Sequence, residues 1–320
     1  MNLNDFKDRI INGYRINKED ATFLFDAELE LLCSTANQIR GHFCGNIFDV
    51  CSIINGKSGR CPENCKFCVQ SAHYKTTLET YPLLNEDIIM KSALKNYEKG
   101  ILRFSIVTSG KRLSDDEVGV ICRTYSKIKK LCGISLCSSN GLLDYEQFIR
   151  LKESGVESYH CNLETSRRYF SHICTTHTYD DKINAIRAAQ KAGLAVCSGG
   201  IIGIGEAIQD RIDMAFELRG LGIKSVPLNI LNPIEGTPFE KLPALSGDEI
   251  RRTVAVYRLI LPDAFIRLAG GRNLMPDRGK SIFLSGANAA ISGSMLTTKG
   301  TETDEDMIML KELGFEVRII

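Results

Sequence analysis

The chain has 320 residues and a nearly balanced charge, with 40 Lys and Arg against 39 Asp and Glu. This balance gives no strongly basic or acidic surface that would select a nucleic acid or an anionic membrane as a partner. No stretch approaches the roughly eighteen apolar residues of a membrane span, and charged residues stand at the N-terminus where a signal peptide would be apolar. We therefore expect a cytoplasmic protein that binds neither nucleic acid nor membrane.

Residues 1–46 are predicted to form a helical extension, because Lys18–Cys33 carries apolar residues at helical spacing. From residue 47 onward, short apolar runs alternate with longer amphipathic ones, which predicts repeated strand–helix units and a parallel sheet. The predicted strands are Phe48–Ile54, Arg103–Thr108, Gly133–Ser138, Ser158–Leu163, Ala195–Gly199, Ser225–Leu231, Phe265–Ala269 and Ile282–Ala287. The predicted helices between them are Glu86–Lys99, Asp115–Lys130, Tyr145–Ser154, Asp180–Ala192, Gln209–Leu221 and Gly247–Leu261.

Eight strands with intervening helices indicate an α/β fold, a (β/α)8 barrel of the TIM type that spans residues 47–320 as one domain. A doubly wound open sheet is the alternative fold. No linker rich in Pro, Gly or Ser divides the chain. In a barrel of this type the functional residues lie at the C-terminal ends of the strands, so the loop after the first strand is a candidate site.

That loop contains Cys61, Cys65 and Cys68, at intervals of four and three residues. Thiolates suit zinc or iron–sulfur clusters. A closed zinc site would need a fourth ligand, and the nearest candidate, His73, lacks the usual paired spacing. Three cysteines on one loop are better suited to a four-iron cluster with one iron left open. The abundance of cysteine, 12 residues in all, is therefore interpreted as metal ligation and reduced thiols rather than disulfides.

The segment Ser58–Ser71 reads Ser-Gly-Arg-Cys-Pro-Glu-Asn-Cys-Lys-Phe-Cys-Val-Gln-Ser. It resembles the radical S-adenosylmethionine (SAM) superfamily and, within it, the biotin synthase family, over roughly residues 47–300. The resemblance implies a 4Fe-4S cluster whose open iron binds SAM, and cleavage of SAM to a 5'-deoxyadenosyl radical. It also implies dethiobiotin as substrate, a reduced flavodoxin or ferredoxin as electron donor, and a homodimer.

The resemblance further implies an auxiliary iron–sulfur cluster deep in the barrel, held by three strand cysteines and an arginine, which donates the inserted sulfur. Cys137, Cys197 and Arg267 match three of these positions, but Ser105 stands where the family has its second-strand cysteine. Cys51 lies on the first strand, where better-known members have serine. We therefore predict that Cys51, Cys137 and Cys197 hold this cluster, with Arg267 adjacent or ligating.

Two compositions of the auxiliary cluster remain open. One is a 2Fe-2S cluster with the arginine as fourth ligand, and the other is a four-iron cluster with an extra sulfide on its free iron. The remaining cysteines are interpreted as structural: Cys33, Cys44, Cys122, Cys132, Cys161 and Cys174.

The segment Tyr159–Thr165 resembles the family's fourth-strand motif. By this resemblance, Asn162 and Glu164 are predicted to hydrogen-bond the SAM ribose, and His160 borders the substrate together with Asn162. His177 is predicted to approach the SAM carboxylate. The resemblance implies no catalytic dyad of side chains, because the cofactor-derived radical abstracts the hydrogen.

Asn229, on the sixth predicted strand, is predicted to bind the ureido ring of dethiobiotin, because an amide offers both a donor and an acceptor. Two other functions remain possible at this point. Ser105 and His160 keep open another radical SAM enzyme, one that performs no sulfur insertion. A zinc-binding structural or regulatory protein would leave Asn162, Glu164 and Asn229 without a role.

Overall fold

The computed structural model describes residues 3–298 and 300–319. Three helices open the chain: α1 (Leu3–Ile11), α2 (Lys18–Phe25) and α3 (Leu29–Cys44). Asn17 caps α2, since its side chain accepts from the N–H of Asp20 at 2.8 Å and the Asp20 carboxylate accepts from the N–H of Asn17 at 3.0 Å. Glu28 caps α3 in turn. The apolar pattern of Lys18–Cys33 is therefore divided between two helices rather than forming one.

A parallel barrel follows these helices. Its strands are β1 (Ile47–Lys57), β2 (Arg103–Thr108), β3 (Ser135–Ser139), β4 (Ser158–His160), β5 (Ala195–Cys197), β6 (Gly200–Ile202), β7 (Ser225–Ile230), β8 (Phe265–Leu268), β9 (Ala289–Ile291) and β10 (Glu316–Val317). The order is β1-β2-β3-β4-β5-β7-β8-β9, and β9 pairs with β1 to close the barrel. Strands β5 and β6 follow one another along the chain, both pair with β7, and together they occupy one strand position of the barrel. Strand β10 pairs with the start of β1. The predicted (β/α)8 barrel is confirmed.

Helices connect the strands and cover the outside of the barrel. They are α4 (Glu86–Glu98), α5 (Asp115–Leu131), α6 (Tyr145–Glu153), α7 (Phe170–Ile173), α8 (Tyr179–Lys191), α9 (Ile208–Gly220), α10 (Gly247–Ile260), α11 (Lys280–Phe283) and α12 (Thr303–Glu312). The six helices predicted from sequence are all confirmed, with small differences at their ends. No helix in the two described ranges is long and apolar enough to cross a lipid bilayer.

The predicted eighth strand, Ile282–Ala287, is wrong. Its first residues belong to α11, and the strand that closes the barrel is β9. The Asp277 carboxylate accepts from the N–H groups of Gly279 and Ser281, at 3.0 and 2.8 Å, and so starts a helical turn. Ile282 and Phe283 are fully buried in this turn. Burial in a helix and burial in a strand both select apolar residues, so the apolar run did not distinguish the two.

The C-terminal segment is fastened to the barrel by a buried ion pair. Arg272 donates to both carboxylate oxygens of Asp306 in α12, at 2.9 and 2.5 Å, and Ser292 donates to the same carboxylate at 2.6 Å. Arg272 and Asp306 are each almost fully buried. The chain after β9 therefore returns across the barrel end and is held there by charge as well as by packing.

Candidate active site

A cavity of about 910 Å³ occupies the barrel interior. The inward-facing side chains of β1 illustrate its character, since Asp49, Cys51 and Ile53 line it whereas Phe48 and Val50 point outward into the apolar core. Alternation along the strand separates these two sets. The interior thus carries thiols and charged groups instead of the layered apolar side chains that usually fill such a barrel.

The cluster loop, residues 58–72 after β1, is shaped by its own backbone. The N–H of Cys61 donates to the carbonyl of Gln70 at 2.9 Å, and the N–H of Ala72 donates to the carbonyl of Cys61 at 2.7 Å. Within this turn the N–H of Cys68 donates to the carbonyl of Cys65 at 3.0 Å. Cys61 and Cys68 line the cavity. Three thiols on one short loop fit a thiolate-held cluster.

The segment after α7 braces the cluster loop from outside. Asn64 donates its backbone N–H to Thr176 Oγ1 at 3.0 Å and its side-chain Nδ2 to Thr175 Oγ1 at 2.7 Å. His177 is buried, and its Nδ1 contacts the carboxylate of Glu63. His177 is not among the described residues that line the cavity. Its contact with the SAM carboxylate stays a prediction.

Cys51, Cys137 and Cys197 all face the cavity, from β1, β3 and β5. Burial raises the pKa of Cys51 to about 11 and the pKa of Cys137 to about 12. Smaller effects on the Cys137 pKa come from the Cys51 and Cys197 thiols, so the three lie near one another. Ser105, paired with Cys137 in the sheet, has a buried hydroxyl oxygen with no hydrogen-bond partner among the described residues. This donor set fits a thiophilic group such as an iron–sulfur cluster.

Arg267 reaches the same region from β8, but its guanidinium is engaged. Its Nη2 lies 2.5 Å from Asp49 Oδ1, and its Nη1 donates to the carbonyls of Asp49 and Ala290 at 3.2 and 3.1 Å. Asp49 also accepts from Arg103 Nε at 2.7 Å. Burial would raise the pKa of Asp49, but Arg267 and Arg103 outweigh it and hold that pKa below its ordinary value. A charged carboxylate therefore joins the two guanidinium groups beside the strand thiols.

Asn162 and Glu164 follow β4 directly and line the cavity. Asn162 Oδ1 accepts from the N–H of Gly199 at 3.1 Å, and the N–H of Glu164 donates to the carbonyl of Gly199 at 3.1 Å. Glu164 has a φ of 72°, in the left-handed region, which turns its side chain away from a regular strand path. Burial raises the pKa of Glu164. The two predicted ribose ligands are thus brought together, and both are held by hydrogen bonds to Gly199 between β5 and β6.

His160 and Asn229 also line the cavity. Burial, helped by nearby positive charges, lowers the pKa of His160 to about 4, so its imidazole is neutral near pH 7. Asn229 Nδ2 donates to the carbonyl of Gly200 at 3.1 Å, and its Oδ1 accepts from the N–H of Gly270 at 2.9 Å. Each amide atom keeps one further hydrogen-bond position.

Lys182, on α8, lines the cavity and is missing from the sequence predictions. Burial would lower the pKa of Lys182, but Cys161 and Glu164 outweigh it, so the pKa is raised and the ammonium stays charged. The sequence pattern around Lys182 does indicate that this lysine is buried. Lys182 lies three residues after Tyr179 and four before Ile186, both buried, so it occupies the apolar face of an amphipathic helix.

Two family models match the chain. The Radical SAM superfamily matches residues 57–218, and the Biotin and Thiamin Synthesis associated domain matches residues 227–316. The first range contains the cluster loop and the β4 motif. The second contains Asn229 and Arg267.

Solved structures share the fold. A methylornithine synthase superposes with a TM-score of 0.84 at 21% identity, covering 98% of this chain and 97% of that one. An FeFe-hydrogenase maturase from Carboxydothermus hydrogenoformans gives a TM-score of 0.82 at 16% identity, covering 98% of this chain and 78% of that one. At such low identity these likenesses show the barrel alone.

Sequence relatives are much nearer. A biotin synthase from Clostridium botulinum (strain Hall) is 57% identical over 316 residues, 99% of each chain. Those from Brachyspira hyodysenteriae and Akkermansia muciniphila are both 55% identical, covering 100% and 97% of this chain and 96% and 97% of the relatives. Identity of this level over the full length, together with the two family matches, shows that the chain belongs to the biotin synthase family of the radical SAM superfamily.

Proposed function

We propose that this chain inserts sulfur into dethiobiotin to form biotin, with cleavage of two SAM molecules. The observation that carries the proposal is a single cavity lined by both sets of sulfur ligands. Cys61 and Cys68 of the cluster loop lie on it, as do Cys51, Cys137 and Cys197 of the strands. A substrate bound in this cavity would lie between a radical formed at one set and a sulfur atom supplied at the other. Family membership supports the same reaction.

Cys61, Cys65 and Cys68 are the proposed ligands of the 4Fe-4S cluster. When bound, this cluster with SAM supplies the 5'-deoxyadenosyl radical, and the auxiliary cluster supplies sulfur. The protein's own part is to orient the reactants and to exclude water. The closed barrel serves both needs, because it encloses the cavity and each of the strands β1 to β9 contributes a side chain to the cavity wall.

SAM is proposed to lie beside the β4 motif. Asn162 and Glu164 would receive the ribose, since a carboxylate accepts from both ribose hydroxyls. Lys182 would pair with the SAM carboxylate, because it is a cation on the cavity wall next to Glu164. His177, the residue predicted from sequence for that contact, remains the other candidate, and it also contacts Glu63 of the cluster loop.

Dethiobiotin is proposed to lie between His160 and Asn229. A neutral imidazole presents no charge to a substrate ring, and the amide of Asn229 still offers one N–H and one lone pair to a ureido group. Asn162 lies on the same wall and borders both ligands. These contacts would orient dethiobiotin in the cavity.

For the auxiliary cluster we favour three thiolate ligands, Cys51, Cys137 and Cys197, around a four-iron cluster with one iron free for an extra sulfide. The engaged guanidinium of Arg267 supports this choice, because a protonated guanidinium has no lone pair for iron and Asp49 keeps it protonated. Iron analysis separates the alternatives: about eight irons per chain for two four-iron clusters and about six with a 2Fe-2S cluster.

The test of the function is an anaerobic assay of reconstituted protein with SAM, reductant and dethiobiotin. We expect about two 5'-deoxyadenosines per biotin, since each of two C–H bonds requires one radical. Cys51→Ala should still form 5'-deoxyadenosine but no biotin and should lose the auxiliary cluster, whereas Cys122→Ala, on α5 outside the cavity, should behave as wild type. Wild-type protein that makes 5'-deoxyadenosine without biotin would overturn the proposal.

The proposal extends to partners. A reduced flavodoxin or ferredoxin is the proposed electron donor, and the assembly is proposed to be a homodimer. We also propose that the chain divides into a helical extension at 1–46 and a barrel at 47–320, and that the protein is cytoplasmic.

A further inference from the structure

Cys174, interpreted as structural from sequence, lies against a proposed iron ligand. Its Sγ is 3.7 Å from Cys65 Sγ, 3.3 Å from His177 Nδ1 and 3.5 Å from Thr176 Oγ1. Cys174 is only 3% exposed. It is not among the described residues that line the cavity.

Several contacts fix the position of this thiol. Its backbone N–H ends α7 by donating to the carbonyl of Phe170 at 3.1 Å. Thr176 Oγ1 donates to the carboxylate of Glu63 at 2.7 Å, and His177 Nδ1 contacts the same carboxylate. Glu63 belongs to the cluster loop, between two of its cysteines, and is 7% exposed. The loop and the segment 174–177 therefore hold one another, with Cys174 and Cys65 in contact between them.

The direction of a hydrogen bond between these thiols follows from the role of Cys65. A cysteine that ligates iron is a thiolate and has no proton to donate. With Cys65 bound to iron, a proton between the two sulfurs can come only from Cys174, whose S–H would then donate to Cys65 Sγ across the 3.7 Å contact. Hydrogen bonds to cluster sulfurs are one means by which a protein sets a reduction potential. An added electron increases the negative charge on the ligating sulfur, so a donor stabilises the reduced cluster more than the oxidised one.

We propose that Cys174 is a positioning residue for the SAM cluster, which donates a hydrogen bond to Cys65 Sγ and thereby raises the reduction potential of that cluster. The Thr176–His177–Glu63 contacts hold the donor in place. This inference rests on the proposed function only in taking Cys65 as an iron ligand. Cys65, Cys174 and His177 also lie close enough together, within 4.8 Å, to hold one metal ion, but such an ion would remove Cys65 from the cluster.

The test compares Cys174→Ala, which removes the donor, with Cys174→Ser, which keeps one. Anaerobic redox titration of the reconstituted protein is monitored by the electron paramagnetic resonance signal that changes when SAM is added. We expect Cys174→Ala to shift the one-electron equilibrium of that cluster about three- to tenfold toward the oxidised form, where tenfold corresponds to about 59 mV. Cys174→Ser and the control Cys122→Ala should stay near wild type, with iron content unchanged in all variants.

A second readout detects the proton itself. After exchange into deuterated buffer, electron–nuclear double resonance of the reduced cluster should reveal a deuteron near Cys65 in wild type and in Cys174→Ser, and lose it in Cys174→Ala. If Cys174→Ala fails to fold, Thr176→Val is used instead, because it removes the hydroxyl that contacts Cys174 Sγ. The reduction potential should then shift in the same direction by a smaller amount.

A wild-type potential in Cys174→Ala or, should that variant not fold, in Thr176→Val would overturn the inference, as would Cys174→Ser behaving like Cys174→Ala. So would the loss of one non-cluster metal ion in Cys174→Ala, which would make Cys174 a ligand rather than a donor. Failure of the proposed function is seen separately, as absence of biotin from wild-type protein with an intact cluster.

Discussion

Gly199, between β5 and β6, is hydrogen-bonded to the segment that follows β4, and its replacement tests how the proposed ribose ligands Asn162 and Glu164 are held. A Cβ on residue 199 would lie 1.9 Å from the carbonyl oxygen of Pro227 and 2.8 Å from its carbonyl carbon. Both are backbone atoms of β7, so no side-chain rotation relieves the clash. Gly199→Ala must therefore push the backbone away from β7. Two hydrogen bonds move with it: the N–H of Gly199 donates to Asn162 Oδ1 and the N–H of Glu164 donates to the carbonyl of Gly199, both at 3.1 Å.

The expected loss of unfolding free energy follows from this backbone clash. Overpacking in a well-packed interior costs about 1–3 kcal/mol of unfolding free energy, and a clash between two backbones belongs near about 3 kcal/mol. For a chain of this size that corresponds to a fall in melting temperature of about 4–5 °C. Misplacing the Glu164 carboxylate weakens a hydrogen bond to a charged group, worth about 1.5–3 kcal/mol, so SAM affinity should fall at least about tenfold.

The assay is anaerobic thermal unfolding of the reconstituted protein by circular dichroism, followed by calorimetric titration with SAM. Gly41→Ala, on the exposed face of α3, is the matched control, since a Cβ there would meet nothing within 4 Å. It should raise the unfolding free energy by about 1 kcal/mol through helix propensity and leave SAM binding unchanged.

An unchanged melting temperature in Gly199→Ala would refute the steric argument. A lowered melting temperature with unchanged SAM affinity would refute the link between Gly199 and the ribose ligands.

Two further substitutions test charges. Lys182→Met should weaken SAM binding about tenfold or more through loss of a charge-assisted contact, with little change in melting temperature, whereas Lys191→Met, at the exposed end of α8, should bind SAM as wild type does in the same titration. Asp306→Asn should lower the unfolding free energy by about 3–5 kcal/mol, because it leaves the Arg272 guanidinium buried beside a neutral group. Asp304→Asn, an exposed ion-pair partner on the same helix, should cost less than about 1 kcal/mol, and thermal unfolding compares the two.

The sequence by itself determined the barrel and its principal sulfur site. Strand and helix periods are local properties, so the alternation from residue 47 onward was enough to predict a parallel α/β fold. The spacing of Cys61, Cys65 and Cys68 is equally local, because three thiols within eight residues must share a loop. The resemblance to the biotin synthase family, not the local pattern, predicted that Cys51, Cys137 and Cys197 face one interior.

Local patterns failed where burial has more than one cause. In the wrongly predicted strand, Ile282 and Phe283 are buried as part of α11 and not by pairing with strands. The true closing strand, Ala289–Ile291, is too short to show a period of two. The apolar spacing of Lys18–Cys33 likewise hid the boundary between two helices.

Tertiary structure alone decided which distant groups meet. Asp49 and Arg267, 218 positions apart, form their ion pair only because β9 joins β8 to β1. The contact of Cys65 with Cys174 spans 109 positions and depends on where α7 ends. Barrel closure and side-chain direction set these contacts. Neither is encoded in the spacing of residues along one segment, because each depends on the register of strands that are remote in the chain.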